Sequence, residues 1–230
     1  MKICGYEKFS LLDYDNYVTC TIFTKGCNFK CPFCQNSSLV LPESYAREIP
    51  AEEIIEYLEQ RKKLVDAVCI SGGEPTLQPD LEEFIIKIKN MGYKIKLDTN
   101  GYRPEIIQRL LGSNLLDYIA MDIKNSLQKY SLITDVKNLD LINIQQSVKL
   151  IIESGIEHEF RTTLINEFHT EKDLESIAVL IKGAKNYVLQ KFVDNGECIQ
   201  RGLTEFSKEK AENCLPTLRK YIKNVKLRGY

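Results

Sequence analysis

Two kinds of segment alternate along the chain: short runs rich in β-branched and aromatic residues, and stretches whose apolar positions recur every three to four residues. Tyr17 to Phe23 (YVTCTIF) is of the first kind and predicts a strand. Pro50 to Arg61 is of the second: Pro50 opens it, and Ile54, Ile55 and Leu58 share one helical face. Ala67 to Ser71 predicts a short buried strand. Asp80, with Glu83 three residues on, is a helix-start signature, and Leu81, Phe84, Ile85 and Ile88 form an i, i+3, i+4, i+7 stripe. Tyr93 to Asp98 predicts a third strand, Pro104 to Leu111 a helix stopped at Gly112, and Asp117 to Asp122 a fourth strand.

The second half keeps the rhythm. Asn143 to Ser154 predicts a helix ended by Gly155, and Glu157 to Leu164 a fifth strand. Thr170 and Asp173 form a capping-box pattern before a helix marked by Leu174, Ile177, Ala178 and Ile181. Tyr187 to Val193 predicts a sixth strand. Lys208 to Asn224 contains a last helix, bent or begun at Pro216, and Leu227 to Tyr230 reads as a terminal strand. Asn125 to Leu141 has no clear period and is expected to be a long loop or a short helix. Strand–helix units of about 30 residues imply a parallel sheet with right-handed crossovers. Six such units are fewer than the eight of a closed barrel. The expected fold class is therefore α/β, a partial (β/α)6 barrel with a parallel sheet. No Pro/Gly/Ser-rich linker divides the chain, so a single domain over 1–230 is expected, with its core at about 17–193 and a C-terminal helix and tail at 205–230.

Composition narrows the function. The charges balance to 31 − 32 = −1 over 230 residues, without the basic excess of a nucleic-acid binder. No apolar run approaches the ~18–20 residues of a membrane span, and Met1 to Asp15 shows no apolar leader, so the expected location is the cytoplasm. The only histidines, His158 and His169, are too few for a His-rich metal site. Cysteines stand at 4, 20, 27, 31, 34, 69, 198 and 214. Three fall within eight residues, Cys27-Asn28-Phe29-Lys30-Cys31-Pro32-Phe33-Cys34, in the loop after the first strand. Structural zinc and [4Fe–4S] sites both normally take four ligands. Three local cysteines suggest a cluster with one iron open to an external ligand; the alternative is a zinc loop completed by a remote cysteine.

The CxxxCxxC spacing, with aromatic Phe33 before the last cysteine, resembles the radical S-adenosylmethionine (radical SAM) family. In that family the open iron binds the methionine amino and carboxylate groups, and one-electron reduction releases a 5′-deoxyadenosyl radical. Ser71-Gly72-Gly73-Glu74-Pro75 looks like the family's GGE motif, although an ordinary Gly-turn with a capping Glu has the same form. Asp98-Thr99-Asn100-Gly101 ends the third strand, Asp122-Ile123-Lys124 ends the fourth, and Arg161 lies in the fifth. These are strand ends, where β/α barrels place their active sites.

The resemblance runs from about Phe9 to Gly229. It is closest to the glycyl-radical-enzyme activases, in particular the anaerobic ribonucleoside-triphosphate reductase activating group, through Phe9 to Tyr14, Thr24 to Phe29 and Ser71 to Gln78. It implies a [4Fe–4S] cluster on Cys27, Cys31 and Cys34. It implies contacts to S-adenosylmethionine (SAM) from Phe33, Gly72, Gly73, Glu74, Asp98, Asn100, Asp122, Lys124, Arg161 and Gln190. Gln190 stands where some activases have a histidine. Asp98, Thr99 and Asp122 resemble a monovalent-cation site; solvated or capping carboxylates are the alternative. The implied partner is a glycyl radical enzyme such as anaerobic ribonucleotide reductase. With no cysteine-rich insertion for auxiliary clusters, the implied electron donor is an external flavodoxin or ferredoxin. Cys4, Cys20, Cys69, Cys198 and Cys214 are expected to be core or surface thiols, and His169 a solvated loop residue. A second reading is a radical SAM enzyme of small molecules, similar to the equally short 7-carboxy-7-deazaguanine synthases. A third is a non-enzymatic metal-binding module, against which the open three-cysteine site argues.

Overall fold

The computed structural model describes residues 1–44 and 46–230. The chain forms two compact units: Met1–Asn28, Ser38–Thr99 and Glu105–Ile119 make the first, and Phe29–Ser37, Asn100–Pro104 and Ala120–Tyr230 the second. In chain order the elements are β1 (Ile3–Ser10), β2 (Thr19–Thr24), α1 (Ser37–Val40), α2 (Ala51–Gln60), β3 (Ala67–Gly72), α3 (Leu81–Asn90), β4 (Lys94–Thr99), α4 (Pro104–Gly112), β5 (Tyr118–Asp122), α5 (Tyr130–Thr134), α6 (Leu141–Glu153), β6 (Glu157–Leu164), α7 (Glu171–Leu180), β7 (Asn186–Lys191), α8 (Lys208–Leu218) and β8 (Asn224–Arg228). Short 3₁₀ turns occupy Pro42–Ser44, Pro75–Leu77 and Leu127–Lys129. The strands follow chain order from β1 to β8. The β2–β3, β3–β4, β6–β7 and β7–β8 pairings are parallel, and β1–β2 is antiparallel. The fold is α/β with a mostly parallel sheet, and the six expected strands are β2 to β7.

In the first unit, alternation along β4 sorts the side chains by face. Ile95 and Leu97 are wholly buried, as are Ile54, Leu58, Ile85 and Ile88 of α2 and α3. The opposite face of β4 carries Lys96 and Asp98, whose charged groups are 3.4 Å apart. Lys96 is buried; its ammonium also lies 5.6 Å from the Tyr118 ring centroid and donates to the Asp13 carbonyl. The second unit repeats the pattern on β6. Phe160, Thr162 and Leu164 are buried on one face, and Glu159 and Arg161 stand on the other. Parallel strands covered by helices are usually apolar on both faces. Charges on the second face therefore mark it as a surface kept for chemistry.

Local structure departs from the pattern in three places. β1 carries no sequence signal, because Ile3 is its only buried residue and no alternation shows. Asp80 makes no side-chain cap on α3; its carboxylate pairs with the Met1 ammonium instead. α8 ends at Leu218, inside the stretch expected to contain it, and β8 starts at Asn224 rather than Leu227. The irregular stretch holds the short helix α5, as expected, and the Asp140 cap that starts α6, accepting Ile142 N–H at 3.0 Å. Among the described residues no helix is long and apolar enough to cross a membrane.

The capping box of α7 forms as expected: Thr170 Oγ1 accepts Asp173 N–H at 3.2 Å, and Asp173 accepts Thr170 N–H at 2.9 Å. Thr170→Ala should lower stability by about 1 kcal/mol, read as a reduced urea midpoint at unchanged slope. A midpoint equal to that of the parent would show the cap contributes nothing.

Candidate functional site

The residues singled out from the sequence divide between the units. In the first, β2 ends at Thr24 and the chain turns through Gly26 (φ +89°) toward Cys27. The end of β3 lies against this turn. Gly73 N–H donates to Thr24 O at 2.9 Å, and Glu74 N–H donates to Gly26 O at 2.8 Å. A Cβ at Gly72 would sit 2.3 Å from Thr24 N, and one at Gly73 would sit 2.0 Å from Gly26 O. The two glycines let the chain approach itself, which fixes the loop carrying Cys27. Glu74 is wholly buried, and its Oε1 accepts Thr76 N–H (3.0 Å), Thr76 Oγ1–H (2.5 Å) and Thr99 Oγ1–H (2.7 Å). It thereby ties the ends of β3 and β4. Asp98 accepts Ser71 Oγ–H at 3.2 Å and faces the Lys96 ammonium.

The second unit holds Cys31, Phe33 and Cys34 on a segment fastened to its own backbone. Lys30 N–H donates to Thr134 O at 2.9 Å, and Pro32 O accepts Gln200 N–H at 2.8 Å. Cys34 N–H closes a turn on Cys31 O at 2.9 Å. The buried Phe33 ring packs 6.2 Å from Phe168 and 6.4 Å from His169. Burial pushes the Cys31 thiol up to about 11 and raises Cys34 as well; the Lys124 ammonium opposes burial at both. A nearby cation favours thiolates, the form that binds a metal. Among the described residues no three His, Cys, Asp or Glu side chains gather around one point as a single metal ion requires. Three thiols at this spacing are the kind of donor set an iron–sulfur cluster takes, each on its own iron.

Asp122 at the end of β5 is the centre of charge in this unit. Arg161 Nε–H donates to Oδ1 at 2.8 Å, and Lys124 Nζ donates to Oδ2 at 3.0 Å. Burial works to raise the Asp122 carboxyl, but Arg161 and Lys124 hold it well below the usual range. Burial works to lower Lys124, and Asp122 holds it above its ordinary value. Both carboxylates considered for a small cation thus already face protein cations. Asn100 is buried and accepts Tyr102 N–H at 3.0 Å, and Gln190 of β7 lies in register with Thr163 and Arg228.

Three residues outside the expected set hold the backbone after Asp122. Thr162 Oγ1–H donates to Ile123 O at 2.9 Å, and Tyr130 OH accepts Lys124 N–H at 3.3 Å. The third is His169, which is buried rather than solvated. Its Nδ1 accepts Ile165 N–H at 3.1 Å, so Nε2–H donates to Lys124 O at 3.0 Å. Burial lowers its pKa, in keeping with a neutral ring. Its partners are backbone atoms, which leave no mark in a sequence. Cys198 and Cys214 are buried, as expected of core thiols.

Residues 21–181 match the radical SAM superfamily. A Methanocaldococcus jannaschii protein named as a glycyl-radical enzyme activating enzyme is 34% identical over 198 residues, covering 83% of this chain and 79% of that one. A second protein of the same organism and the same name is 33% identical over 160 residues, covering 69% and 60%. The crystal structure of Streptococcus suis SuiB bound to precursor peptide SuiA has a TM-score of 0.68 at 18% identity, covering 91% of this chain and 48% of that one. That last likeness shows the fold.

The glycine geometry can be tested by iron content. Gly73→Ala should take up little iron on anaerobic reconstitution, since the loop before Cys27 must shift. Gly112→Ala, whose Cβ meets nothing within 4 Å, should load like the parent. Equal loading of the two variants would refute the role given to the close approach.

Proposed function

Because the chain belongs to the radical SAM superfamily, whose members use a [4Fe–4S] cluster and SAM, we propose that this enzyme activates a glycyl radical enzyme by removing hydrogen from one of its glycines. The observation that carries the reading is the 34% identity, over most of both chains, to a protein named as such an activating enzyme. When bound, the cluster and SAM supply one-electron chemistry that ends in the transfer of a hydrogen atom. Cys27, Cys31 and Cys34 hold the cluster. Lys124 and Arg161 offer an ammonium and a guanidinium to the methionine carboxylate, and Asp122 fixes the direction of both. Asp98, Asn100 and Gln190 offer polar contacts to the rest of SAM, and Phe33 an apolar one. Gly72, Gly73 and Glu74 keep the cluster loop in place. An external flavodoxin or ferredoxin as electron donor and the cytoplasm as the place of work belong to the same reading.

A protein substrate brings its glycine on a loop, and that loop must enter the site and exclude water from it. The test is an EPR spectrum of reduced enzyme mixed with SAM and each glycyl radical enzyme of the same organism. A glycyl doublet that needs enzyme and SAM together is the expected result. No doublet with any of them, while a small-molecule substrate is turned over, would move the enzyme to the small-molecule class.

A further inference from the structure

The Asp122 cluster continues across the second unit to the last strand. Glu159 lies two residues before Arg161 on the same face of β6 and is 4% exposed. Arg228 of β8 grips its carboxylate with both arms of the guanidinium, Nη1 to Oε1 at 3.0 Å and Nη2 to Oε2 at 2.9 Å. Arg161 therefore lies between two carboxylates. Its Nε is 2.8 Å from Asp122 Oδ1, and its Nη1 is 4.0 Å from Glu159 Oε1.

A carboxylate this buried must be answered by a cation. With Arg228 in place, Glu159 is answered by a fork whose geometry matches it, and Arg161 is left to Asp122. Without Arg228, Arg161 still stands 4.0 Å from Glu159, and a side-chain rotation toward it would close that gap. A guanidinium drawn from Asp122 to Glu159 no longer points where Asp122 aims it.

We propose that Arg228 is a positioning residue: by occupying Glu159 it keeps Arg161 on Asp122 and so sets the affinity of the site for the carboxylate of SAM. The inference rests on the reading that Arg161 and Lys124 face the cofactor. Arg228 touches neither cofactor nor reacting atoms and acts through Glu159 and Arg161. Its effect should therefore disappear when the competing carboxylate is removed, which loss of fold would not do.

The experiment is equilibrium dialysis of SAM against reconstituted protein with its cluster oxidised, iron content being measured on every sample. Arg228→Met should weaken binding by about ten-fold or more, as expected when one charge-assisted hydrogen bond to the cofactor is removed. Glu159→Gln combined with Arg228→Met should return to near the parent affinity, and Arg228→Lys should fall between. If Arg228→Met takes up no iron, the same comparison is made between Arg228→Lys and Glu159→Gln/Arg228→Lys, where relief by Glu159→Gln is again expected. Parent-like binding by Arg228→Met, or a double variant as weak as the single, overturns the inference alone. Parent-like binding by Arg161→Met overturns the placement of Arg161 at the cofactor, and the inference with it.

Discussion

The cysteine loop depends on a place where two stretches of backbone meet with no side chain between them. Gly73 and Glu74 each donate an N–H to the turn that follows β2. Neither bond is compatible with a Cβ at 72 or 73, since such an atom would lie 2.0–2.3 Å from the turn's backbone. Two hydrogen bonds are a modest contribution to stability, but here they decide position. Cys27 is the next residue after Gly26, so any displacement of the turn is passed to its sulfur. Glu74 completes the arrangement from the buried side by tying Thr76 and Thr99 to one carboxylate oxygen.

The second unit solves a different problem, that of keeping charged groups on a sheet face without losing their direction. Asp122 is held by two cations, and the backbone that follows it is held by Thr162, Tyr130 and His169. Asp122 is thus fixed at both its side chain and its chain neighbours. The same unit fastens the segment carrying Cys31 and Cys34 at Lys30 and Pro32. Lys124 links the two features, because its ammonium pairs with Asp122 and favours the charged form of both thiols. An anionic thiolate set and an amino-acid carboxylate are both favoured by an ammonium such as that of Lys124.

Much of this is legible in the residue pattern, and the reason is locality. Strands β2 to β7 announce themselves by β-branched runs, and α7 by a cap whose two partners are three residues apart. The cysteine motif is readable because its three members lie within eight residues. The pairing of Asp122 with Arg161, 39 residues away, has no such local mark; both residues stand out only through family resemblance. β1 stays hidden because it is an antiparallel strand with little burial to impose alternation. The pattern does not mark the end of α8, because Leu218 and Ile222 are buried at helical spacing while the chain is already turning toward β8. Glu159 does carry a sequence signal, though a faint one: it and Arg161 are charges at alternate positions of a strand with buried Phe160 between them.

If Cys27, Cys31 and Cys34 alone hold the cluster, its fourth iron is left for SAM. Mössbauer spectroscopy of protein reconstituted with iron-57 tests this most directly. The predicted result is one cluster of about four irons in which a single iron changes its parameters when SAM is added. Four irons indifferent to SAM, or a chain that binds one zinc ion in their place, would contradict it.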